Sequence, residues 1–448
     1  TLLGTAYADE NDVVALKNQI ADLNKKIADL ESKLSSVDTR VSQMKPGIEH
    51  EGHYVAPPAE APSGGLLRAV EDINMGGYID TQFSGNLSHN TANFSDPNHT
   101  FNGNLGGGNR LRVFDNNQNT FTLNQLKLWF AKQPDPEGGA GFRADILMGE
   151  DARIIEDLNP GNVLPGNDFD TFAIEQAYVE ANIPIKWFEG NEILPDTVNI
   201  RAGRYVTLAG AEVIDAPNNW NISRSMMFGF AIPFIHTGVR ANFKLLKDYF
   251  DVYLGVNNGW DVGVDNNKFK TMEFGLGFRP FEKVNNFTSI YWGPELYLDA
   301  AAPGGLGNFG QSGHKRFLLT NVTTWDVTDK LSLMLDFNWA NQRRIPGLEG
   351  IAYENAQWWG IAPYVRYAFT DKFAMAYRFE YFNDNDTFRM GLDNRPYWAH
   401  TITAEYKMYD NLITRLEYRF DKADDIQAFT GDDSSQSTIG AQVIYLFQ

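Results

Sequence analysis

The 448-residue chain contains no cysteine. A disulfide framework, a thiolate metal site and haem attachment through a CxxCH motif are therefore excluded, and the chain is no self-contained cytochrome. It also lacks any apolar run approaching the about 20 residues that a transmembrane helix needs, and its mean hydropathy is -0.36. A helical membrane protein is excluded. Basic residues are scarce, with 38 Lys and Arg against 57 Asp and Glu for a formal net charge of -19, whereas nucleic-acid binding needs clustered cations. Nucleic acid is not a partner of such a surface. Proline is sparse too, 19 residues against 40 glycines.

What the chain has is alternation. Phe373, Met375, Tyr377, Phe379 and Tyr381 alternate with Ala374, Ala376, Arg378 and Glu380; Leu412, Thr414, Leu416, Tyr418 and Phe420 alternate with Ile413, Arg415, Glu417, Arg419 and Asp421. The final segment repeats the pattern through Ile439, Ala441, Val443, Tyr445 and Phe447. A period of two puts each set on one face of a strand. One face is aromatic and apolar and the other charged, as a strand between lipid and water requires. The fold class expected is a transmembrane all-β protein, an antiparallel up-and-down β-barrel, which crosses lipid at low mean hydropathy because its hydrogen bonds close between strands.

Residues 1–8, TLLGTAYA, end on a small-x-small site after an apolar stretch and are expected to be a signal-peptide remnant or tail. Over residues 9–45 the apolar positions from Val13 to Met44 are spaced three, four, three, four without a break. That seam, with Leu16, Ile20, Leu23, Ile27, Leu30 and Leu34 at its centre, predicts a parallel coiled-coil oligomerisation helix about 45 to 50 Å long. The heptads leave dimer against trimer open. Residues 46–70 are a Pro/Gly linker, and residues 71–448 are the barrel.

About 16 strand-like stretches follow, centred near Ile79, Leu126, Ala144, Tyr178, Ile200, Val239, Leu254, Phe274, Ile290, Val322, Leu335, Ile361, Tyr377, Ile402, Leu416 and Val443. Short polar turns alternate with long links, the asymmetry expected of a barrel with both termini in the periplasm of a bacterial outer membrane. Outer-membrane lipid and lipopolysaccharide are then the surrounding partners. Placing the apolar sets outward turns Lys127, Arg143, Arg201, Arg240, Arg279, Arg366, Arg378 and Arg415 toward the lumen, interleaved with acids. Most of these are expected to form salt bridges along the wall. The link 207–233 is the most hydrophobic of the long ones, with Trp220, Met226, Met227, Phe228, Phe230 and Ile232. It is expected to fold into the barrel as a constriction, with Glu212, Asp215 and Arg224 the candidates for the pore lining.

The stretch from Asn199 to Lys244 carries Gly210, Glu212, Val213, Ile214, then Asn219, Trp220, Asn221, Ser223, Arg224, Ser225, then Ala231, Ile232, Pro233, Phe234, His236, Thr237, Gly238, Val239 and Arg240. It resembles the β-barrel porin-2 family of OmpL-like outer-membrane porins, and more distantly the phosphate-selective porins, which also combine about 16 strands with an N-terminal coil. The resemblance implies a channel, and porin-like barrels are commonly trimers. Phosphate selectivity is not expected, because the inward basic residues alternate with acids. Leu208 departs from the family's common proline.

The function expected is passive diffusion of small hydrophilic solutes or ions through a homotrimer held partly by the coil. The alternative is a structural spacer or tether, in which the coil reaches the cell wall and the barrel anchors it. Catalysis is not expected: His236 and His400 lie on strands, no Ser-His-Asp spacing or HExxH occurs, and no cofactor is implied. Asp115-Asn116-Asn117 and Asn383-Asp384-Asn385-Asp386 lack the full calcium-loop pattern and read as solvated turns, so no metal site is assigned.

Overall fold

A computed structural model describes residues 73–447 apart from 89–107, 158–170, 189, 192, 247–248, 266, 268, 296–314, 347–352, 391–395, 425–427 and 430–432. The signal remnant, the coiled-coil seam and the linker lie outside the described residues.

The sixteen strands expected are present. They are β1 Asn74–Asn86, β2 Thr120–Lys132, β3 Gly139–Met148, β4 Phe172–Pro184, β5 Thr197–Val206, β6 Ile235–Leu245, β7 Phe250–Asn257 and β8 Thr271–Phe281. There follow β9 Val284–Pro294, β10 Lys315–Asp326, β11 Leu331–Pro346, β12 Tyr353–Ala368, β13 Phe373–Asp384, β14 Pro396–Tyr409, β15 Leu412–Ala423 and β16 Ser435–Phe447. Each alternation centre read from the sequence falls inside one strand. All neighbours pair antiparallel, and β1 pairs with β16 to close the barrel. Closure removes the sheet edges that lipid could not hydrogen-bond.

Side-chain chemistry ends the strands where the pattern breaks. In the β12–β13 turn, Thr370 Oγ1 accepts from the backbone N–H groups of Lys372 at 3.3 Å and Phe373 at 3.0 Å. Thr328 does the same for Lys330 and Leu331 between β10 and β11. At the other end of the barrel the links are longer. One of them begins with the helix α1, Glu150–Asp157, whose Ala152 and Ile155 are fully buried. The β4–β5 connection is longer than the other tight turns and contains a 3-10 turn, Lys186–Phe188.

Among the described residues five register shifts interrupt the strand pairing, and two of them bear on the lumen. The β1–β2 register slips between Asp80 and Thr81, and the β3–β4 register between Asp145 and Ile146. The extra residues are Asn124 and Glu175, so that Asn124 with Gln125, and Glu175 with Gln176, are buried as consecutive pairs. Both pairs face the loop that crosses the lumen.

Candidate channel constriction

The loop between β5 and β6, residues 207–234, is buried along almost its whole length. Its apolar residues disfavour exposure to water, and the barrel interior takes them. Met226, Met227, Phe228, Phe230 and Ile232 are each no more than 3% exposed. Gly210 turns the chain with φ at 78°, in the left-handed region where a Cβ is strained, and that Cβ would also stand 2.7 Å from Ile232 Cδ1. On the wall, Gly360 leaves room for Met227, whose Cγ would lie 2.7 Å from an added Cβ.

Once inside, the loop's backbone N–H groups need acceptors, and wall carboxylates supply them. Glu417 on β15 accepts from Ile222 N at 2.6 Å and Ser223 N at 3.0 Å. Glu380 on β13 accepts from Met226 N at 2.7 Å, and Asp336 on β11 from Ala211 N at 3.1 Å. Loop carbonyls are met by donors from the wall in the same way. Trp358 Nε1 donates to Ala231 O at 3.0 Å, Arg419 Nη1 to Arg224 O at 2.6 Å, and Arg415 Nη1 to Ala216 O at 3.1 Å. Bonds between a charged group and backbone are the stronger kind. The opposite wall holds the loop through Gln125 Nε2, which donates to Ile214 O at 2.8 Å. The loop thus spans the lumen from β2 to the β11–β15 sector.

The three constriction candidates are all buried. Glu212 takes Arg378 Nη1 at 2.5 Å and the Ser225 hydroxyl at 2.6 Å. Asp215 lies 2.5 Å from Lys127 Nζ and accepts from the Tyr78 hydroxyl at 2.9 Å. Arg224 spends its guanidinium on the carbonyls of Val213, Ile222 and Ile214, at 2.9, 2.8 and 2.6 Å, and lies over the Phe114 ring. Two of the three fasten the loop to the wall, and the third ties the loop to itself.

Every one of the eight lumen candidates faces a carboxylate. Lys127 lies between Asp145 at 2.9 Å, Glu175 at 3.1 Å and Asp215. Arg143 pairs with Asp145 at 2.7 Å, Arg201 with Glu180 at 3.1 Å, and Arg240 with Glu273 at 2.5 Å. Arg279 pairs with Asp251, while Arg366 and Arg415 share Glu405 at 2.9 and 2.8 Å. Arg378 joins Glu212 to Glu380. Loss of one partner from such a buried pair strands the other charge, so the ladder resists piecemeal change.

Sequence reasoning missed the groups that close over this loop. Arg112, from the link after β1, reaches Asp421 on β15 at 2.5 Å, and Phe114 packs on Phe228 and Phe234 with centroids 5.5 Å apart. Asp151 on α1 accepts from Gln125 Nε2 at 2.6 Å. Arg389, from the β13–β14 link, donates to Phe230 O and lies over the Trp260 and Trp358 rings. Phe114 and Arg112 stand in a polar, Asn-rich run whose composition hides them. Asp384 accepts from the N–H groups of Phe388, Arg389 and Met390, which makes that acidic run a turn. Among the described residues no three potential metal ligands converge. His236 is buried, stacked on Tyr291 with Nδ1 3.1 Å from Gly259 O; His400 lies on the outward face beside Tyr377.

A closed sixteen-strand barrel with an inward-folded loop and a charged inner wall defines an outer-membrane porin. The chain belongs to the family described as "Putative beta-barrel porin-2, OmpL-like", whose model matches residues 72–447. Among solved structures, the outer-membrane channel DcaP of Acinetobacter baumannii is similar at 13% identity and a TM-score of 0.53, over 84% of this chain and 97% of that one. A loop-deleted form of OmpT, an outer-membrane protein of Vibrio cholerae, is similar at 10% identity and a TM-score of 0.51, over 84% and 98%. These likenesses concern the fold. No curated protein sequence matches the chain.

Proposed function

We propose that this porin passes small hydrophilic solutes or ions by passive diffusion, with the 207–234 loop setting the aperture and the solute's path running along its flanks. The observation that carries this reading is the loop's attachment: wall carboxylates from β11, β13 and β15 hold its backbone across the lumen at fixed positions. A rigid obstruction divides the channel and sets a size limit. Below the loop, toward the tight-turn end, the lumen is wetter: Lys244, Arg279 and Lys407 are exposed there. Glu212, Asp215 and Arg224 act on the aperture through the loop they hold.

The tight-turn end faces the periplasm and the long links face the medium, which puts both ends of the barrel-forming chain in the periplasm. The protein works as a homotrimer, held in part by the heptad seam around Leu16, Ile20, Leu23, Ile27, Leu30 and Leu34. Porin behaviour is tested by adding purified full-length protein to planar bilayers under a salt gradient. Stepwise conductance is expected, in multiples of three per insertion. A protein that inserts and yields no steps sinks the diffusion reading.

A further inference from the structure

The outer wall of the barrel carries a groove of about 480 Å³ between the upper ends of β9, β10 and β11. Trp292, Phe317 and Trp339 form its sides and floor, and Lys315, Asn341 and Arg343 its upper rim. These are outward positions: Trp292 pairs with Phe317 and Phe317 with Asn341 across neighbouring strands, one step above the Leu319–Trp339 row. Lys315 Nζ lies 4.3 Å from the centre of the Trp292 ring, and the Phe317 and Trp339 rings meet at 5.7 Å. Among the described residues no carboxylate pairs with Lys315 or Arg343.

We infer that this groove binds a phosphorylated, multiply acylated glycolipid of the outer leaflet, with phosphate on Lys315 and Arg343 and an acyl chain along the aromatic floor. The inference rests on the orientation proposed above, in which the long-link end faces the medium. Depth agrees. Trp325, ten positions along β10, marks the opposite interface; ten residues span roughly 33 Å of strand, or roughly 25 Å of bilayer at porin tilt. Lys315 therefore stands at headgroup level and the rings lie just inside the hydrocarbon. Lys315 and Arg343, without a carboxylate partner among the described residues, present two cations at a lipid boundary, where an anion from outside the wall would meet them. The outward strand positions of a second copy would not supply one, since among the described residues they hold no Asp or Glu. A phosphate-bearing lipid supplies both the charge and the chain.

The test uses the full chain in mild detergent, titrated with bisphosphorylated lipid A and followed by native mass spectrometry. One lipid A is expected per barrel, bound at least tenfold more weakly by the Lys315→Gln/Arg343→Gln double variant and by Trp339→Ala. Dephosphorylated lipid A should bind the parent protein as weakly as lipid A binds the double variant. Both sites lie on the surface, and unchanged heat-modifiable mobility on gels confirms that the variants fold. Equal retention across all proteins overturns the inference. So does displacement of lipid A by millimolar inorganic phosphate, which would mark a plain anion site, or a double variant that falls to monomers with lipid binding intact, which would mark a subunit contact.

Orientation is checked separately in whole cells, where the cysteine-free chain gives a clean background. An impermeant maleimide should label Val264→Cys and spare Glu137→Cys. The reverse pattern overturns the proposed orientation and lipid A with it; the expected pattern without lipid retention overturns the groove alone.

Discussion

Asp151 shows how a single residue here couples acid chemistry to the channel's interior. It sits in the first turn of α1, outside the strands, fully enclosed against Asn124 and Gln125. Burial pushes its carboxyl up to about 8; Arg224 opposes that rise and Asp80 adds to it. An unfolded aspartate titrates near 3.9, so the folded protein holds this proton more tightly. The resulting stabilisation is complete below about pH 4 and is lost as the pH climbs through about 8. Asp151→Asn fixes the neutral form. The variant's thermal midpoint in detergent should match the parent near pH 4 and exceed it above pH 8; parallel curves across that range would refute the argument. Asp261, in the β7–β8 link, behaves alike at lower pH: desolvation moves it up to about 6 against hydrogen bonds from Ile235 and Phe234.

At the scale of elements, the loop and the wall are one hydrogen-bonded unit. Truncating Glu417 to Ala removes the acceptor for Ile222 N, Ser223 N and the Thr403 hydroxyl together. Each buried donor left bare costs about 1–3 kcal/mol. The expected outcome is a lower thermal midpoint with larger, noisier single-channel steps, as the loop leaves the wall; unaltered step size would mean that the loop does not set the aperture. Strand positions were legible in the sequence because a wall with lipid outside and charge inside writes a period of two at Tyr377, Tyr418 and Val443 alike. The loop was legible because Met227, Phe228 and Phe230 have nowhere else to go. The bulges at Asn124 and Glu175 were not, since one extra polar residue beside another leaves no mark on composition. Nor was the Arg112–Asp421 pair, whose partners are 309 residues apart and meet only when the barrel has closed.

For the molecule as a whole, the charge ledger separates inside from outside. The inner wall balances Lys127, Arg240, Arg378 and Arg419 against neighbouring carboxylates. The net charge of -19 is therefore a poor guide to the charge along the inner wall. The proposed role of the heptad seam in holding the trimer can be tested by deleting residues 13–44. Conductance per barrel should survive while chemically crosslinked trimers decline; loss of envelope attachment with trimers intact would favour the tether reading.

The seam between β1 and β16 has a consequence for biogenesis. Gly77 faces Phe447 and Asn86 faces Thr438, pairings that span most of the chain. Until the last strand arrives, every intermediate carries two bare sheet edges and an aromatic outer face, the combination most prone to aggregate. Such long-range closure is slow. A chain stalled before Ser435 would lack the strand that pairs with β1, and both edges of its sheet would stay bare.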